Sequence, residues 1–174
     1  MYEFIKVKEY NYSNQFQNIE MVVLSLAAFF IPLFLGHQQI IVGSVVNAFL
    51  IAGALHLKGW KVAPVIIMPS LGAVAAGLLF GPLSKFLLLM VPFIWIGNTL
   101  LVVSMKKFKL NYWFKLGLGT IIKAGFLFTA AFILYTLGAL PVIFLTAMGI
   151  LQVATALVGG LLAFTYEKMA QKLV

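Results

Sequence analysis

Lys123 lies inside the run LGLGTIIKAGFLFTAAFILYTL, residues 116–137, which is otherwise almost free of charge. The sequence contains no Asp, and its four acids are Glu3, Glu9, Glu20 and Glu167, all outside the long apolar runs. An ammonium at such a position can do one of three things. It can meet an anionic group of a ligand, such as a carboxylate or phosphate; it can snorkel toward an interface; or it can lose its charge and bond to backbone carbonyls. At 1.5 Å per residue Lys123 is roughly 13 Å deep, close to the middle of a bilayer core about 30 Å thick. By the same counting Gln152 and Asn98 lie near mid-depth and Asn47 somewhat nearer one end. Polar side chains at membrane depth are costly and face a bundle interior or a cavity. These four come from four different runs and fall in one central layer.

The stretch VPFIWIGN, residues 91–98, adds an aromatic to that layer. Tryptophan in membranes favours the interfaces, where Trp60 and Trp113 are expected, but Trp95 is placed near the midplane. At helical spacing Val91, Trp95, Asn98 and Val102 share one face. An aromatic and an amide on one stripe would suit a planar organic ligand. Equally, Trp95 is a packed core residue whose indole N–H bonds to Asn98 or a carbonyl. Pro69 and Pro92 each remove a helix hydrogen bond, as bends around a cavity require and simple kinks also do.

Other chemistries lack their residues. There is no cysteine, which excludes thiol redox chemistry, iron–sulfur clusters and disulfides. There is no phosphate-binding G-x-x-x-x-G-K-[ST] loop, no H-E-x-x-H and no G-x-S-x-G. The two histidines, His37 and His56, fall at opposite membrane faces and read as interfacial residues. No metal or cofactor is expected.

The elements that must position these residues follow from composition. Of 174 residues 63% are hydrophobic and 9% charged, with mean hydropathy +1.09. A soluble domain carries nearer about 25% charged residues, so the chain is an integral membrane protein. Spans of about 20 apolar residues are required, and six fit: 21–36, 40–57, 62–80, 84–105, 114–137 and 141–165. Residues 1–20 form a short polar N-terminal segment, and 21–174 a single transmembrane domain. The breaks GHQQ, HLKGWK, FGPLSK, KKFKLNYWFK and LGALP are marked by Gly, Pro and Lys. The fold class is an all-α membrane bundle of six transmembrane helices.

All twelve basic residues are Lys, and the net charge is +8. Lys6, Lys8, Lys58, Lys61, Lys106, Lys107, Lys109, Lys115, Lys168 and Lys172 fall on one side of six spans, and only Lys85 on the other. The charge therefore reads as span-flanking lysine rather than nucleic-acid binding, and it puts both termini in the cytoplasm. Lys85 is an interfacial anchor or a cation at an outer approach. The short outer turns predict tight antiparallel pairs of spans 1–2, 3–4 and 5–6. Small residues four apart, such as Gly72 with Ala76 and Thr155 with Gly159, predict close helix contacts in spans 3 and 6, within the chain or to another membrane subunit.

Three stretches resemble one family: VGSVVNAFLIAGAL with Gly43 and Asn47, PSLGAVAAGLLFGPLSKFLLLMVPFIWIGN, and LQVATALVGGLLAF. With six spans, cytoplasmic termini and no ATPase motif, the chain is similar to the substrate-binding S components of energy-coupling factor (ECF) transporters. That resemblance implies capture of a vitamin or other small micronutrient from outside the bacterial plasma membrane. It implies docking on a transmembrane coupling subunit served by ABC-type ATPases, toppling to release ligand, and no enzymatic role. It places the pocket toward the outer half under the loop between spans 1 and 2, with His37, Gln38 and Gln39 as polar contributors. The family's first span carries an Ala-x-x-x-Ala docking surface. Here it reads VVLSLAAFFIPLFLG, with Ala27 and Ala28 adjacent and Pro32 four residues after Ala28, so that pattern is not matched.

The substrate-binding candidates are thus Lys123, Trp95, Asn98, Gln152, Asn47 and His37. Two other classes stay open. A membrane enzyme acting on a lipid or quinone would need a general acid or base, and only Lys123, the histidines and tyrosines are available. An accessory or structural subunit of another membrane complex needs no site at all. A channel would show a polar stripe along several helices, where here the polar residues make one layer.

Overall fold

The computed structural model describes residues 12–36, 38–77 and 81–173. Its elements are helices, and six segments are long and apolar enough to cross a membrane. The first helix, α1, runs Asn14–Leu35, and α2 runs Gln39–His56. A short 3-10 turn, Gly59–Val62, leads into α3, Ala63–Ala76. A second, Gly81–Phe86, leads into α4, Leu87–Lys107. Then come α5, Tyr112–Thr136, the one-and-a-half-turn α6, Ile143–Met148, and α7, Ile150–Leu173. The chain is a multi-pass, all-α membrane protein.

Local chemistry explains several boundaries. Ser13 caps α1, its Oγ accepting from Phe16 N–H at 3.2 Å. The first helix therefore begins well before the apolar run, and residues 14–20 belong to it rather than to a separate polar segment. Glu20 consequently sits within α1, and Glu167 within α7, so two acids lie inside helices expected to be free of them. α3 stops where Gly77 takes a left-handed conformation, φ 63°, and donates to Ala73 O. The sixth span is not continuous but breaks at Gly149 between α6 and α7. A Cβ there would lie 2.8 Å from Leu145 O and 3.0 Å from Phe128 Cδ2.

Two of the three pairs that the short turns predict, spans 1–2 and 3–4, are weak, while span 5 does meet the sixth span through both α6 and α7. The closest pairings are α1 with α3, α2 with α7, and α4 with α5, whereas α1–α2 and α3–α4 touch less. Since successive spans alternate in direction, α1–α3 and α2–α7 are parallel pairs. Glycine decides this. A Cβ on Gly72 of α3 would stand 2.1 Å from Phe29 O of α1, and one on Gly159 of α7 would stand 2.5 Å from Ser44 O of α2. Backbones this close gain dispersion contacts that side chains would prevent, which is what drives helix association in lipid. α2 is the most buried span and α1 the least.

Two apolar clusters fill the bundle. One, toward the lysine-rich end, includes Leu50, Ile51, Val65, Leu101, Met105 and Leu116. The other, toward the opposite end, includes Leu87, Met90, Leu127, Ala131, Phe144 and Ala147. On α3 the order is Ile66, Ser70, Ala73; on α4 it is Met90, Asn98, Leu101; on α5 it is Leu116, Lys123, Leu127. A polar layer is thus held between two dry ones. Large apolar side chains such as Ile121, Phe128, Leu161 and Leu26 point outward, as a lipid solvent requires. Trp60 and Trp113 are exposed at the lysine-rich end, where interfacial tryptophans belong.

Candidate binding site

Within the polar layer Lys123 is 2% exposed, and its Nζ donates to Asn47 Oδ1 at 2.6 Å. Asn47 is itself fixed. Its Nδ2 donates to Gly43 O at 2.9 Å and to Thr155 Oγ1 at 3.2 Å. Thr155 sends its own hydroxyl hydrogen back to Leu151 O at 2.8 Å, which leaves a lone pair for Asn47. The amide oxygen of Asn47 therefore has one orientation, facing Lys123. A lysine ammonium has three donors, and no other protein group among the described residues takes the remaining two. No carboxylate among the described residues pairs with Lys123.

Lys123, Asn47, Asn98, Gln152 and Thr155 all line one cavity of about 90 Å³. Every span contributes to its wall: Pro32 from α1, Gly43 from α2, Ser70 from α3, Leu87 from α4, Lys123 from α5, Ala147 and Leu151 from the sixth. Pro32, Gln39, Leu87 and Ala147 belong to the ends remote from most lysines, and Lys123 and Asn98 to mid-depth. The cavity occupies the half of the bundle away from the lysine-rich end, with its polar groups at the floor. Gln152 is half-buried, and among the described residues its side-chain amide has no protein partner.

The segment around Pro69 organises the opposite wall. Without an N–H, Pro69 breaks the regular ladder of α3. Beside it, Asn98 Nδ2 donates to Ile66 O at 3.1 Å and Ser70 Oγ to Ile67 O at 2.9 Å. Ser70 Oγ in turn accepts from the Trp95 indole N–H at 2.7 Å. Trp95 is thereby held behind the wall: Ser70 reaches the cavity and Trp95 does not. The expected face shared by Trp95 and Asn98 exists, but helical spacing alone does not show that the indole turns toward α3. Trp95 packs against the cluster at the lysine-rich end.

Of the sequence candidates, the structure brings Lys123, Asn47, Asn98 and Gln152 together and sets Trp95 one residue back. His37 lies outside the described residues. Of its neighbours in the loop, Gln39 lines the cavity and Gln38 is exposed. Ser70, Thr155 and Pro32 are wall residues that sequence reasoning missed. Ser and Thr are common in membrane helices, and nothing in their spacing singles these out. Lys85 is exposed at the other end, its ammonium 5.3 Å from the Phe86 ring.

His56 requires a correction. It is not an interfacial histidine but is buried, 4% exposed, between two carboxylates. Its Nδ1 is 2.5 Å from Glu20 Oε1 and its Nε2 2.6 Å from Glu167 Oε1. The signal was available: Glu20, His56 and Glu167 all fall near the lysine-rich ends of their spans.

Comparison of the chain with protein-family models, with curated proteins and with solved structures finds no match.

Proposed function

We propose that the chain is the solute-capture subunit of a membrane uptake system of the ECF type, taking a small organic anion from outside the bacterial plasma membrane. The observation that carries this reading is the Lys123 side-chain nitrogen, buried in a cavity walled by every span and without a carboxylate partner among the described residues. A charge removed from water without a counterion is strongly unfavourable. A carboxylate or phosphate entering from the outer half restores the balance, with Asn98, Gln152 and Ser70 positioned to bond its polar atoms. Among the described residues, the cavity lining offers amides and hydroxyls beside Lys123, groups suited to binding polar atoms of a solute. Release and energy would then come from a coupling subunit and ABC-type ATPases in trans, as the family resemblance implies.

The size of the cavity adds a requirement. An apolar cavity of about 150 Å³ admits benzene, and ligand pockets usually run from about 300 Å³ upward. At about 90 Å³ this cavity takes little more than an anionic head group. A vitamin-sized ligand requires the wall to move, and α1, the least buried span, supplies Pro32 to that wall.

The test is native mass spectrometry of the purified protein for a co-purified small molecule. It is joined to thermal-shift measurements with small monocarboxylates and phosphate monoesters. Lys123→Met keeps the length of the side chain and removes the charge. It is expected to abolish the retained mass, or to weaken binding of the best anion roughly 10- to 100-fold, the worth of a charge-assisted hydrogen bond. An unchanged affinity would remove Lys123 from the site and the proposal with it.

A further inference from the structure

The Glu20–His56–Glu167 triad lies away from the cavity and plays no part in binding there. It joins three spans at the lysine-rich end: α1 through Glu20, α2 through His56, α7 through Glu167. Both imidazole nitrogens sit within 2.6 Å of a carboxylate oxygen. The Nδ1 contact with Glu20 has hydrogen-bond geometry, whereas Nε2 and Glu167 Oε1 form a close ion-pair contact without an aligned hydrogen bond. Both call for a proton on the nitrogen or the oxygen, because two lone pairs at those distances repel. A neutral imidazole carries one N–H, so two contacts need two protons on the triad. The arrangement is an imidazolium between two carboxylates, or its tautomer with one carboxylic acid. In both arrangements the triad carries a net charge of −1.

We propose that this triad is a proton-dependent latch that fastens α1 to the rest of the bundle. Loss of one proton leaves one contact without a hydrogen and adds a second negative charge to a buried site. One arm must then open. The Glu167 side chain is 1% exposed and the Glu20 side chain 14% exposed, with Glu20 Oε2 itself buried and unpartnered, so Glu20 is the less enclosed arm and the one that opens. The latch is therefore closed in acidic buffer and opens as pH rises. An added proton in acid converts a carboxylate to an acid whose carbonyl oxygen still accepts, so the closed state persists there.

The surroundings agree with this division. Tyr12, before α1, sets its ring edge against His56 with centroids 5.1 Å apart. Tyr112 on α5 is committed to Gly160 O at 2.6 Å, and Lys106 on α4 to Leu57 O at 2.6 Å. Among the described residues, Lys58 and Lys61 on the connecting segment and Lys168 on α7 are further charged groups at this end. The other polar ties of α1 at this end are Gln17 Oε1 accepting from Lys58 N–H at 3.0 Å, and Asn14 with Lys61. Glu20 and Pro32 ride on one helix, roughly 18 Å apart at 1.5 Å per residue. Freeing α1 at Glu20 therefore loosens the helix that supplies one wall of the cavity. The latch stands whether or not that cavity takes a solute.

The chain has no cysteine, so a spin-label pair at Ile19→Cys on α1 and Met169→Cys on α7, both exposed, reports on the latch alone. Pulsed electron–electron resonance should give one narrow distance distribution in acidic buffer and a second, longer component in alkaline buffer. Glu20→Gln should stay closed in both, because a glutamine amide can either accept from or donate to the imidazole. Glu20→Ala should be open in both. An identical distribution of the parent pair in the two buffers, or alkaline opening that survives Glu20→Gln, would overturn the proposal. Removing the other histidine with His37→Gln leaves His56 as the sole source of imidazole nitrogen resonances. These should show both nitrogens engaged with a proton, on the ring or on the facing carboxyl, in acidic buffer and one nitrogen released from its proton in alkaline buffer.

Discussion

Asn47 ties the ammonium of Lys123 to the backbone of α2 and the hydroxyl of α7, so a change there separates the fold's need for the lysine from the ligand's. Asn47→Asp puts a carboxylate where the amide oxygen now accepts. A buried lysine with a bonded carboxylate satisfies itself. The new ion pair offsets the loss of the two bonds that Asn47 Nδ2 donates to Gly43 O and Thr155 Oγ1. The variant is therefore expected to melt near the parent temperature, while anion binding falls at least roughly 10-fold for want of an unpaired charge. Thermal unfolding and a binding isotherm on the same preparation check the two halves; retained anion affinity would sink the argument. At this scale the sequence was partly readable. Depth counting singles out Lys123, Asn47, Asn98 and Gln152 because strongly polar side chains are costly in lipid wherever they point. It fails for Trp95, whose direction depends on the segment around Pro69 and on Ser70. It fails again for His56, because the role of a histidine at a helix end is set by which acids two other helices bring to the same level.

Helix contacts follow from where glycine permits them. Gly72→Ala forces a Cβ toward Phe29 O, and Gly159→Ala forces one toward Ser44 O and Ala48 N, with backbone rather than a flexible side chain in the way. Each is expected to cost about 1–3 kcal/mol, as overpacking does. Gly117→Ala and Gly125→Ala meet nothing within 4 Å and should be neutral or stabilising, by up to about 1 kcal/mol. Unfolding in mixed micelles by denaturant compares the four; equal effects across them would show that the α1–α3 and α2–α7 contacts do not hold the bundle. The number and approximate limits of the spans are legible because twenty-residue apolar runs have one physical use. Their pairing is not legible from turn length, since a short turn fixes only where two ends meet. The break at Gly149 is equally hidden. It lies in an unbroken apolar stretch, and only the approach of Phe128 and Leu145 O shows why glycine stands there.

Over the whole molecule, the distribution of lysine and the position of the cavity make one joint statement. Ten of twelve lysines cluster at one end of the six spans, and the cavity opens its lining toward the other. If the lysine-rich end is cytoplasmic, the Lys123 floor is reached from outside and the Glu20–His56–Glu167 triad faces the cytoplasm. On that orientation the proposed capture site faces outside and the proposed latch faces inside. Lys85 and Lys109 are exposed at the two ends and offer a direct reading. In a chain without other thiols, Lys85→Cys should react with a membrane-impermeant maleimide in intact cells. Lys109→Cys should react only after the membrane is opened. The opposite pattern would reverse the molecule, turning the cavity inward and leaving uptake without a receiving face.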